Sequence, residues 1–598
     1  MLTLDSGNPE TTLVWNNLTV VRREKPNSLQ IVWRKFRRRR FQETRTILNA
    51  VSGSAVTGNL IAIMGPSGAG KTTLLASLAG KLEPTSGSVS INGRIVSRDT
   101  LSEVSSYMPQ FDALPMPLTV QEHLLFMYAL KTNLNKTQRK YSSIELLTEL
   151  SLIDCKDLLI SNLSGGQRKR LSLASELVTK PRIIYLDEPT TGLDTFSAMQ
   201  VVQTLRLVSL ESVVVCTIHQ PGMDIYNLFT HVLLLSTGRV GYFGTRMDAT
   251  NFFHSLGYEC PVGYDESEYY IKLLSPRKSW DSEPEKLIDK ICEAFSRSPS
   301  RIPEIANNEM LDIEPRREAG RVTQLLWLTW RVWTLNRRTI CDDWISWISY
   351  FLSIAAVATF YTGINPRTQN GVQNARGALY MMSSEISFTV AYSVIYEFPG
   401  HLTIYLRERT VYSSGPYYIA TFLGLIPRAT LKALIFTTVM YLILITRIDL
   451  LNFLVYCLTT SAAAICGTAY GLMFSSWVDN VDVLTSIMVP IDTLFLLTAG
   501  MFYSLRSLPA YLTCFKYFSI FFYLNEALSI IYWSRIDDID CQSSDLPCLQ
   551  NGDEVLLEYG FRRTNLIWDL SGLAILTIAL GLGGYFGLRR RRKVGAMF

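Results

Sequence analysis

Residues 65–72 have the types and spacing of a phosphate-binding loop, in the order Gly65, Pro66, Ser67, Gly68, Ala69, Gly70, Lys71 and Thr72. In such a loop the glycines allow backbone N–H groups to close around a polyphosphate, and the amino end of the following helix adds its positive dipole. We expect Lys71 to reach the outer phosphates and the Thr72 hydroxyl to hold Mg²⁺, with Thr73 beside them at the helix start. The loop therefore predicts nucleotide binding, and by itself it leaves kinases and GTPases open.

The sequence around the loop supplies the elements that such a site needs. Residues 60–64 form a short apolar run suited to a buried strand, and residues 73–78 match the first turns of a helix. From residue 11 to about residue 264, short β-rich runs alternate with helical stretches. This alternation predicts an α/β sheet with crossover helices, and we place this domain at residues 1–265.

Further residues suited to nucleotide hydrolysis follow the loop. They are Gln110, the run Ser164-Gly165-Gly166-Gln167, the pair Asp187 and Glu188, Asp194, and His219. Asp187 follows an apolar strand and is predicted to hold Mg²⁺ together with Thr72. Glu188 is the candidate base or water-orienting carboxylate, and the Ser164 run opens a helix whose N–H groups can face an anion.

The order and spacing of these motifs resemble those of ATP-binding cassette transporters, which implies a P-loop ATPase cassette that binds ATP and Mg²⁺. The resemblance implies that Gln110 contacts the metal and senses the γ-phosphate, and that His219 contacts the γ-phosphate; a structural histidine is the alternative. It also implies that Ser164 to Gly166 face the γ-phosphate of nucleotide bound by another cassette, so the chain must pair, and that Gln167 and Asp194 are further nucleotide-binding residues. The family's adenine-stacking aromatic has no counterpart in residues 18–21; Trp15 lies earlier, and the insertion 22–45 could supply the contact.

The second half of the chain is rich in long apolar runs. Six of them are long enough to cross a bilayer about 30 Å thick, at about residues 344–361, 378–398, 417–445, 450–477, 484–502 and 566–588, with an outer loop at 503–565. We find no secretory signal before the cassette and expect cytosolic N- and C-termini, and the basic residues of 407–409 and 589–593 then lie on the inner side. The net charge of +5 is small, and its local clusters favour membrane lipids over nucleic acid; a solvated stretch is the alternative for residues 34–40.

The cassette precedes the membrane half, which is the order found in the G, or White-type, half-transporters. Further resemblances to this branch are residues 115–123, the pair Cys260-Pro261, residues 405–409 and residues 499–502. The resemblance implies an all-α six-helix domain of the type-II-exporter kind at 341–598, with residues 407–409 near a coupling helix. It implies a homodimer or heterodimer that exports a lipophilic or amphipathic molecule (sterol, lipid, steroid, pigment precursor or xenobiotic) across a plasma or vesicle membrane. The alternative is a nucleotide-binding partner subunit with little turnover of its own.

Two segments connect the halves. Residues 266–321 are charged and contain five prolines, which predicts a linker that is poorly ordered in part. Residues 322–340 interleave leucine and tryptophan with arginines such as Arg331, which predicts an amphipathic helix at the membrane interface. A helix packed on the cassette is the alternative.

Polar and aromatic residues within the predicted spans are the candidate substrate contacts. Glu385 and Asp492 are ionisable, and because burial of a charge in a membrane is costly, a functional role is the first hypothesis. The family resemblance aligns Phe388 with a residue that stacks flat substrates, and Met501 and Phe502 with a hydrophobic plug above the cavity. Helix packing is the alternative for Phe388, and pairing with an arginine is the alternative for Glu385.

Seven of the ten cysteines lie in predicted cytosolic or membrane segments and show no paired metal spacing. Cys541 and Cys548 lie in the predicted outer loop, where a disulfide can persist. We predict that these two cysteines form a disulfide, with Cys514 as a further candidate partner.

Overall fold

The computed structural model describes residues 11–23, 44–276, 283–297, 307–310, 319–340, 343–445, 449–478, 480–503, 505–507, 509–540 and 548–594. They form two compact units, of which the first ends at Ala319 and the second begins at Gly320. The first unit mixes strands and helices, and the second is helical. This division confirms the predicted fold class.

The first unit contains two sheets. Its strands are β1 (Thr12–Arg23), β2 (Thr44–Val56), β3 (Leu60–Met64), β4 (Ser86–Ile91), β5 (Arg94–Ile95), β6 (Ser105–Met108), β7 (Ile183–Leu186), β8 (Val213–Thr217), β9 (His231–Ser236), β10 (Arg239–Thr245) and β11 (Asn307–Met310). One sheet has the order β11-β5-β4-β1-β2 and is antiparallel except where β11 pairs with β5. The other has the order β10-β9-β3-β8-β7-β6 and is parallel except for β10.

The parallel sheet explains why distant motifs converge. Every residue of β3, β7 and β8 is buried, as expected for parallel strands covered on both faces, and their sequences are accordingly almost entirely apolar. Neighbouring parallel strands end at the same edge of a sheet. The segments that follow β3, β8, β7 and β6 therefore meet at one edge, and these are the segments that carry the predicted nucleotide site.

The helices of the first unit surround these sheets. They are α1 (Lys71–Leu78), α2 (Arg98–Val104), α3 (Val120–Lys131), α4 (Lys136–Glu149), α5 (Gly165–Leu177), α6 (Thr195–Val208), α7 (Met223–Tyr226), α8 (Arg246–Ser255), α9 (Glu266–Leu273) and α10 (Glu283–Arg297), with 3₁₀ helices at Ile153–Cys155 and Ile160–Asn162.

Two of these helices, α9 and α10, lie in the segment that the sequence predicts as a linker. Tyr270 of α9 stacks on Phe253 with ring centroids 4.2 Å apart, and Ile288, Ile291 and Cys292 of α10 are buried. Apolar residues recur every three to four positions in α10, which gives this charged helix one apolar face. The first unit therefore extends past the predicted boundary. The apolar face of α10 packs on this unit even though the segment is highly charged.

The second unit is built from ten helices within the described residues. They are α11 (Arg321–Thr339), α12 (Trp344–Tyr361), α13 (Gln369–Glu408), α14 (Ser414–Leu444), α15 (Leu450–Trp477), α16 (Val481–Leu497), α17 (Ala510–Lys516), α18 (Ile520–Trp533), α19 (Gly552–Tyr559) and α20 (Leu566–Val594), with a 3₁₀ turn at Arg563–Asn565.

Four stretches are long and apolar enough to cross a membrane: Trp344–Tyr361, Ser414–Leu444, Leu450–Trp477 and Arg563–Arg591. The other two predicted spans are also helical, in α13 and α16, but they do not meet the same criteria of length and hydropathy. Helix α16 has 17 residues, fewer than the roughly 20 that cross the hydrocarbon core, and α13 carries many polar residues along its 40. Four candidate spans identify a membrane domain, and the six-span count remains a prediction.

Helix α15 lies at the centre of the second unit, against α13, α14, α18 and α20. Small residues allow this close packing: a Cβ atom at Gly471 would lie 2.6 Å from the carbonyl oxygen of Ala391. Small residues at helix interfaces are how membrane helices approach closely enough to pack. A larger side chain at this position would separate α13 from α15.

Helix α11 is present at the predicted position, and its buried face packs on α14. Val322, Leu326 and Trp333 are exposed, as a helix at the membrane interface requires. Arg331 differs from the expectation, because its side chain is 4% exposed and pairs with Glu408 instead of facing water. The sequence shows an arginine between apolar residues but not the distant carboxylate that makes its burial possible.

The outer-loop cysteines match the prediction only in part. Cys548 is disulfide-bonded, and Cys541, the predicted partner, lies outside the described residues. Cys514 is free and exposed, so its predicted role as a further partner is wrong. The pairing of Cys541 with Cys548 stays a prediction.

Candidate functional site

The loop from Gly65 to Thr72 forms a cradle between β3 and α1. A Cβ atom at Gly65 would lie 2.1 Å from the carbonyl oxygen of Leu235, so only glycine fits where the loop leaves the strand. Gly70 caps α1 with φ 102°, a left-handed conformation that glycine adopts without strain, and it has no side chain to accept the free N–H groups of the helix. The amino end of α1 is therefore available to an anion.

The Lys71 ammonium lies within this cradle. Lys71 is 7% exposed, and its Nζ donates hydrogen bonds to the carbonyl oxygens of Gly65 at 2.8 Å and Pro66 at 3.2 Å. Burial lowers the pKa of Lys71, and the nearby carboxylates of Glu188 and Asp187 oppose this shift. Ser67 and Gly68 are exposed at the tip of the loop.

Asp187 lies beside the loop and is held by three hydroxyl groups. Its Oδ1 accepts hydrogen bonds from Thr217 at 2.6 Å and from Thr72 at 3.2 Å, and Tyr107 donates to its Oδ2 at 3.5 Å. Burial raises the pKa of this carboxyl group, and the bonds from Thr217 and Thr72 partly offset that effect. The carboxylate and the Thr72 hydroxyl are oxygen ligands of the kind that Mg²⁺ prefers, so these residues fit the predicted metal site.

Glu188 adopts an unusual backbone conformation. Its φ is +46°, in the left-handed region that is costly for a residue with a long side chain, and its N–H donates to Thr217 Oγ1 at 2.8 Å. Its Oε2 accepts hydrogen bonds from Gln110 at 2.7 Å and from Thr191 at 2.8 Å. The structure thus brings together Gln110 and Glu188, which the sequence predicts as residues of one nucleotide site, and fixes the carboxylate at the sheet edge.

Two residues that support this site were missed by the sequence analysis. Lys169 of α5 donates from Nζ to the carbonyl oxygen of Gln110 at 2.5 Å and pairs with Asp112 at 3.2 Å, so it holds the segment after β6. Thr217 bonds to both Asp187 and the Glu188 backbone. Neither residue type stands out in the sequence, since Lys169 lies in a basic run and Thr217 ends an apolar strand.

The Ser164 run forms the amino end of α5 as predicted. Ser164 Oγ accepts from the Gln167 N–H at 3.2 Å, and Gln167 Oε1 accepts from the Ser164 N–H at 2.9 Å, which is a capping box. A Cβ at Gly166 would touch Ser197, whose N–H donates to Asp194 at 3.0 Å. Ser164 and Asp194 are both exposed, and so is His219 after β8.

Both units of the chain match known protein families. Residues 48–191 match the family described as ABC transporter, and residues 323–533 match the family described as ABC-2 type transporter. Protein brown of Drosophila melanogaster is 31% identical, with 96% of each chain covered. Protein scarlet of the same fly is 32% identical over 92% of this chain and 87% of its own, and protein white is 31% identical over 92% and 83%. The chain belongs to the White-type, or G, family of ABC transporters. This G-family transporter couples ATP hydrolysis to transport across a membrane.

Glu385 of this G-family transporter faces α12. The side chain is half-buried, and its Oε1 accepts hydrogen bonds from Ser353 at 2.9 Å and from Thr389 at 3.3 Å. These hydroxyl groups take the place of the arginine that the sequence analysis offers as an alternative partner. A carboxylate held by two neutral donors keeps acceptor capacity for another ligand.

The aromatic candidates of the G-family transporter gather in one cluster. Phe388 lies 5.0 Å from Phe521 between ring centroids, and Met501 packs against the same group of side chains. The Phe502 ring meets Tyr380 edge-on at 5.3 Å and is 66% exposed. The structure therefore brings Phe388 and Met501 together and leaves Phe502 open on the surface of the unit.

Asp492 occupies a different environment from the other candidates. It is 3% exposed, and it accepts hydrogen bonds from Tyr392 at 3.0 Å and Tyr470 at 2.7 Å. Together with Leu484 and Met488 it forms the buried face of α16, at intervals of four residues. This placement supports an anchor that ties α16 to α13 and α15, in place of the predicted substrate contact.

Proposed function

We propose that this transporter hydrolyses ATP at composite sites, each formed by the loop of one cassette and the Ser164 run of a second. The observation that carries the proposal is the convergence of Thr72, Asp187, Glu188 and Gln110 at one sheet edge beside the open amino end of α1. Phosphoryl transfer requires positioning and charge neutralisation more than covalent chemistry, and this edge supplies both.

Each residue at the edge has a task in hydrolysis. Lys71 would exchange its bonds to loop carbonyls for bonds to the β- and γ-phosphates. Thr72 and Asp187 would hold Mg²⁺, which neutralises phosphate charge when bound. Glu188 would orient the water and accept its proton as the water oxygen bonds to the γ-phosphorus and the bridging bond to the β-phosphate breaks. The amide of Gln110 holds that carboxylate in place.

The second cassette would complete each site. The Oγ of Ser164 accepts the capping bond, which leaves its O–H free to donate to a γ-phosphate on another chain. The amino end of α5 adds N–H groups and the helix dipole for the same anion. Asp194 and His219 are exposed, as contacts between two cassettes require.

The residues that could contact adenine bear on the choice between ATP turnover by this chain and the alternative of a partner subunit with little turnover. Trp15 is fully buried, packed on Gly53 and 5.7 Å from the Phe243 ring, and Leu18 is fully buried as well. Neither side chain can stack on a base without leaving the core, and residues 24–43 lie outside the described part of the chain. Measurement of ATP affinity and turnover on the full-length chain distinguishes the two functions.

For the transported molecule we propose a lipophilic or amphipathic substrate exported from the cytosolic leaflet. The aromatic cluster of Phe388, Phe521 and Tyr380, with Glu385 nearby on α13, supports a flat molecule with one polar group. The relatives named brown, scarlet and white keep a pigment precursor among the candidates, beside sterols, lipids and xenobiotics. We further propose six crossings, with α13 and α16 completing the set and both chain ends in the cytosol.

One experiment separates the partner hypotheses. The full-length chain is purified in lipid nanodiscs, alone and together with a White-type relative, and ATP hydrolysis is measured with sterols, lipids and pigment precursors. Substrate-stimulated hydrolysis by the chain alone supports a homodimer, and activity that needs the relative supports a heterodimer. Hydrolysis in neither preparation contradicts the proposed turnover.

A further inference from the structure

A pair of buried carboxyl groups lies at the contact between α18 and α20. Glu526 of α18 is 2% exposed, and Asp569 of α20 is 3% exposed. Acidic residues are rarely buried this completely without a cation or a full set of hydrogen-bond donors. Their placement therefore calls for a chemical explanation.

The packing of the two helices brings the carboxyl groups to one contact surface. Asn565 Nδ2, just before α20, donates to Glu526 Oε1 at 2.8 Å, and a Cβ at Gly572, about two turns further along, would lie 2.5 Å from the ring of Tyr523, one turn before Glu526. The helices thus run antiparallel in close contact between these two points. Asp569 lies one turn after Asn565 and three residues before Gly572, on the same face of the segment, so it lies near Glu526, and the two carboxyl groups interact electrostatically.

The hydrogen-bond donors at the contact between α18 and α20, which we call the seam, do not satisfy both carboxylates. Asp569 Oδ2 is buried and has no hydrogen-bond partner among the described residues. Lys516, at the end of α17, interacts with both carboxyl groups and supplies one positive charge for two acids. The other titratable groups here are Tyr523, Tyr517 and Cys466; the Tyr523 hydroxyl donates to the Tyr517 carbonyl oxygen at 3.2 Å, away from the acids.

We propose that Glu526 and Asp569 share one proton, so that the seam between α18 and α20 is a proton-binding site. Two ionised carboxylates at close range repel, and a single proton removes one charge and supplies the donor that Asp569 lacks. The pair and Lys516 are then neutral overall. Loss of the proton at alkaline pH leaves two buried negative charges at the seam, which loosens the contact between α18 and α20. This inference does not depend on the proposed function.

The test is the pH dependence of unfolding of the full-length protein in lipid nanodiscs. We expect the unfolding equilibrium constant of the wild type to rise by up to about tenfold per pH unit from about pH 4, where carboxyl groups of the unfolded chain ionise, up to the pH at which the folded pair releases its proton, because folding holds one proton that the unfolded chain releases. The Glu526→Gln and Asp569→Asn variants should lose this dependence and be more stable than the wild type at alkaline pH. Asp538→Asn, which changes an exposed carboxylate just after α18, is the matched control and should follow the wild type.

Infrared spectroscopy provides a second readout that does not require every variant to fold. At neutral pH the wild type and Asp538→Asn should show the carbonyl stretch of a buried protonated carboxylic acid. This band should be absent from Glu526→Gln and Asp569→Asn, because the remaining carboxylate can ionise opposite Lys516. A wild type without the band, or variants whose pH profiles run parallel to the wild type, would overturn the proposal.

Discussion

The buried ion pair between Arg331 and Glu408 should be one of the most sensitive points of the membrane unit. Arg331 on α11 donates to Glu408 Oε2 at 2.6 Å and to the Tyr412 hydroxyl at 3.0 Å, and Tyr412 donates to the same Oε2 at 2.7 Å. Both charged side chains are 4% exposed. These three residues join α11 to the end of α13 and the turn that follows it.

Removal of one partner leaves the other charge buried without compensation. We expect Arg331→Met to lower the free energy of unfolding by about 3–5 kcal/mol, since that is the usual cost of breaking a buried pair. For a unit of this size that corresponds to a fall in melting temperature on the order of 10 °C. Glu408→Gln keeps the shape but should also be destabilising, because the Arg331 charge then stays buried without a counter-charge.

A double-mutant cycle in lipid nanodiscs measures this effect. The combined Arg331→Met and Glu408→Met protein should recover much of the stability lost in Arg331→Met, because no unpaired charge remains. Arg337→Met, at an exposed position of the same helix, is the matched control. Additive losses in the double variant, or a single-variant loss below about 1 kcal/mol, would refute the reasoning.

Three further predictions concern the nucleotide site and the membrane anchor. Thr217→Val should lower the rate of ATP hydrolysis about tenfold to a hundredfold, because Asp187 and the Glu188 backbone N–H each lose a hydrogen bond. Thr148→Val, at an exposed position, is the control and should leave the rate unchanged. Equal rates in the two variants would contradict the role of Thr217 in supporting the site. Chelation of Mg²⁺ should abolish hydrolysis and readdition should restore it, and hydrolysis that persists without the ion would exclude the proposed metal site. Asp492→Leu should destabilise the protein by about 3 kcal/mol, because the buried Tyr470 hydroxyl and the half-buried Tyr392 hydroxyl lose their acceptor. A changed substrate KM at unchanged melting temperature would instead support the substrate role.

Much of the cassette could be predicted because its signals are local. A fully apolar run such as β3, followed by glycines and a helix, determines where the loop lies before any tertiary contact is known. The parallel order of the strands then brings Asp187, Glu188 and Gln110 to the loop, and the sequence analysis anticipates this convergence.

The features that were missed depend on contacts between residues far apart in the chain. Arg331 and Glu408 are 77 positions apart, and neither has a local feature that marks it as buried. Asp492 is predicted as a substrate contact because an acid in a membrane span suggests function, and the two tyrosines on other helices that donate to it are not evident from the sequence. Helix α10 is predicted as part of a linker because its sequence is highly charged, although its apolar residues form one face.

The most direct test of ATP-driven transport at a composite site is the Glu188→Gln variant of the full-length protein. We predict that this variant binds ATP and retains it in a closed dimer, while steady hydrolysis falls by at least about a hundredfold, the usual contribution of a general base. The exposed Glu211→Gln variant is the matched control and should hydrolyse ATP at the wild-type rate. Unchanged turnover in Glu188→Gln would contradict the assignment of the catalytic carboxylate and with it the proposed cycle.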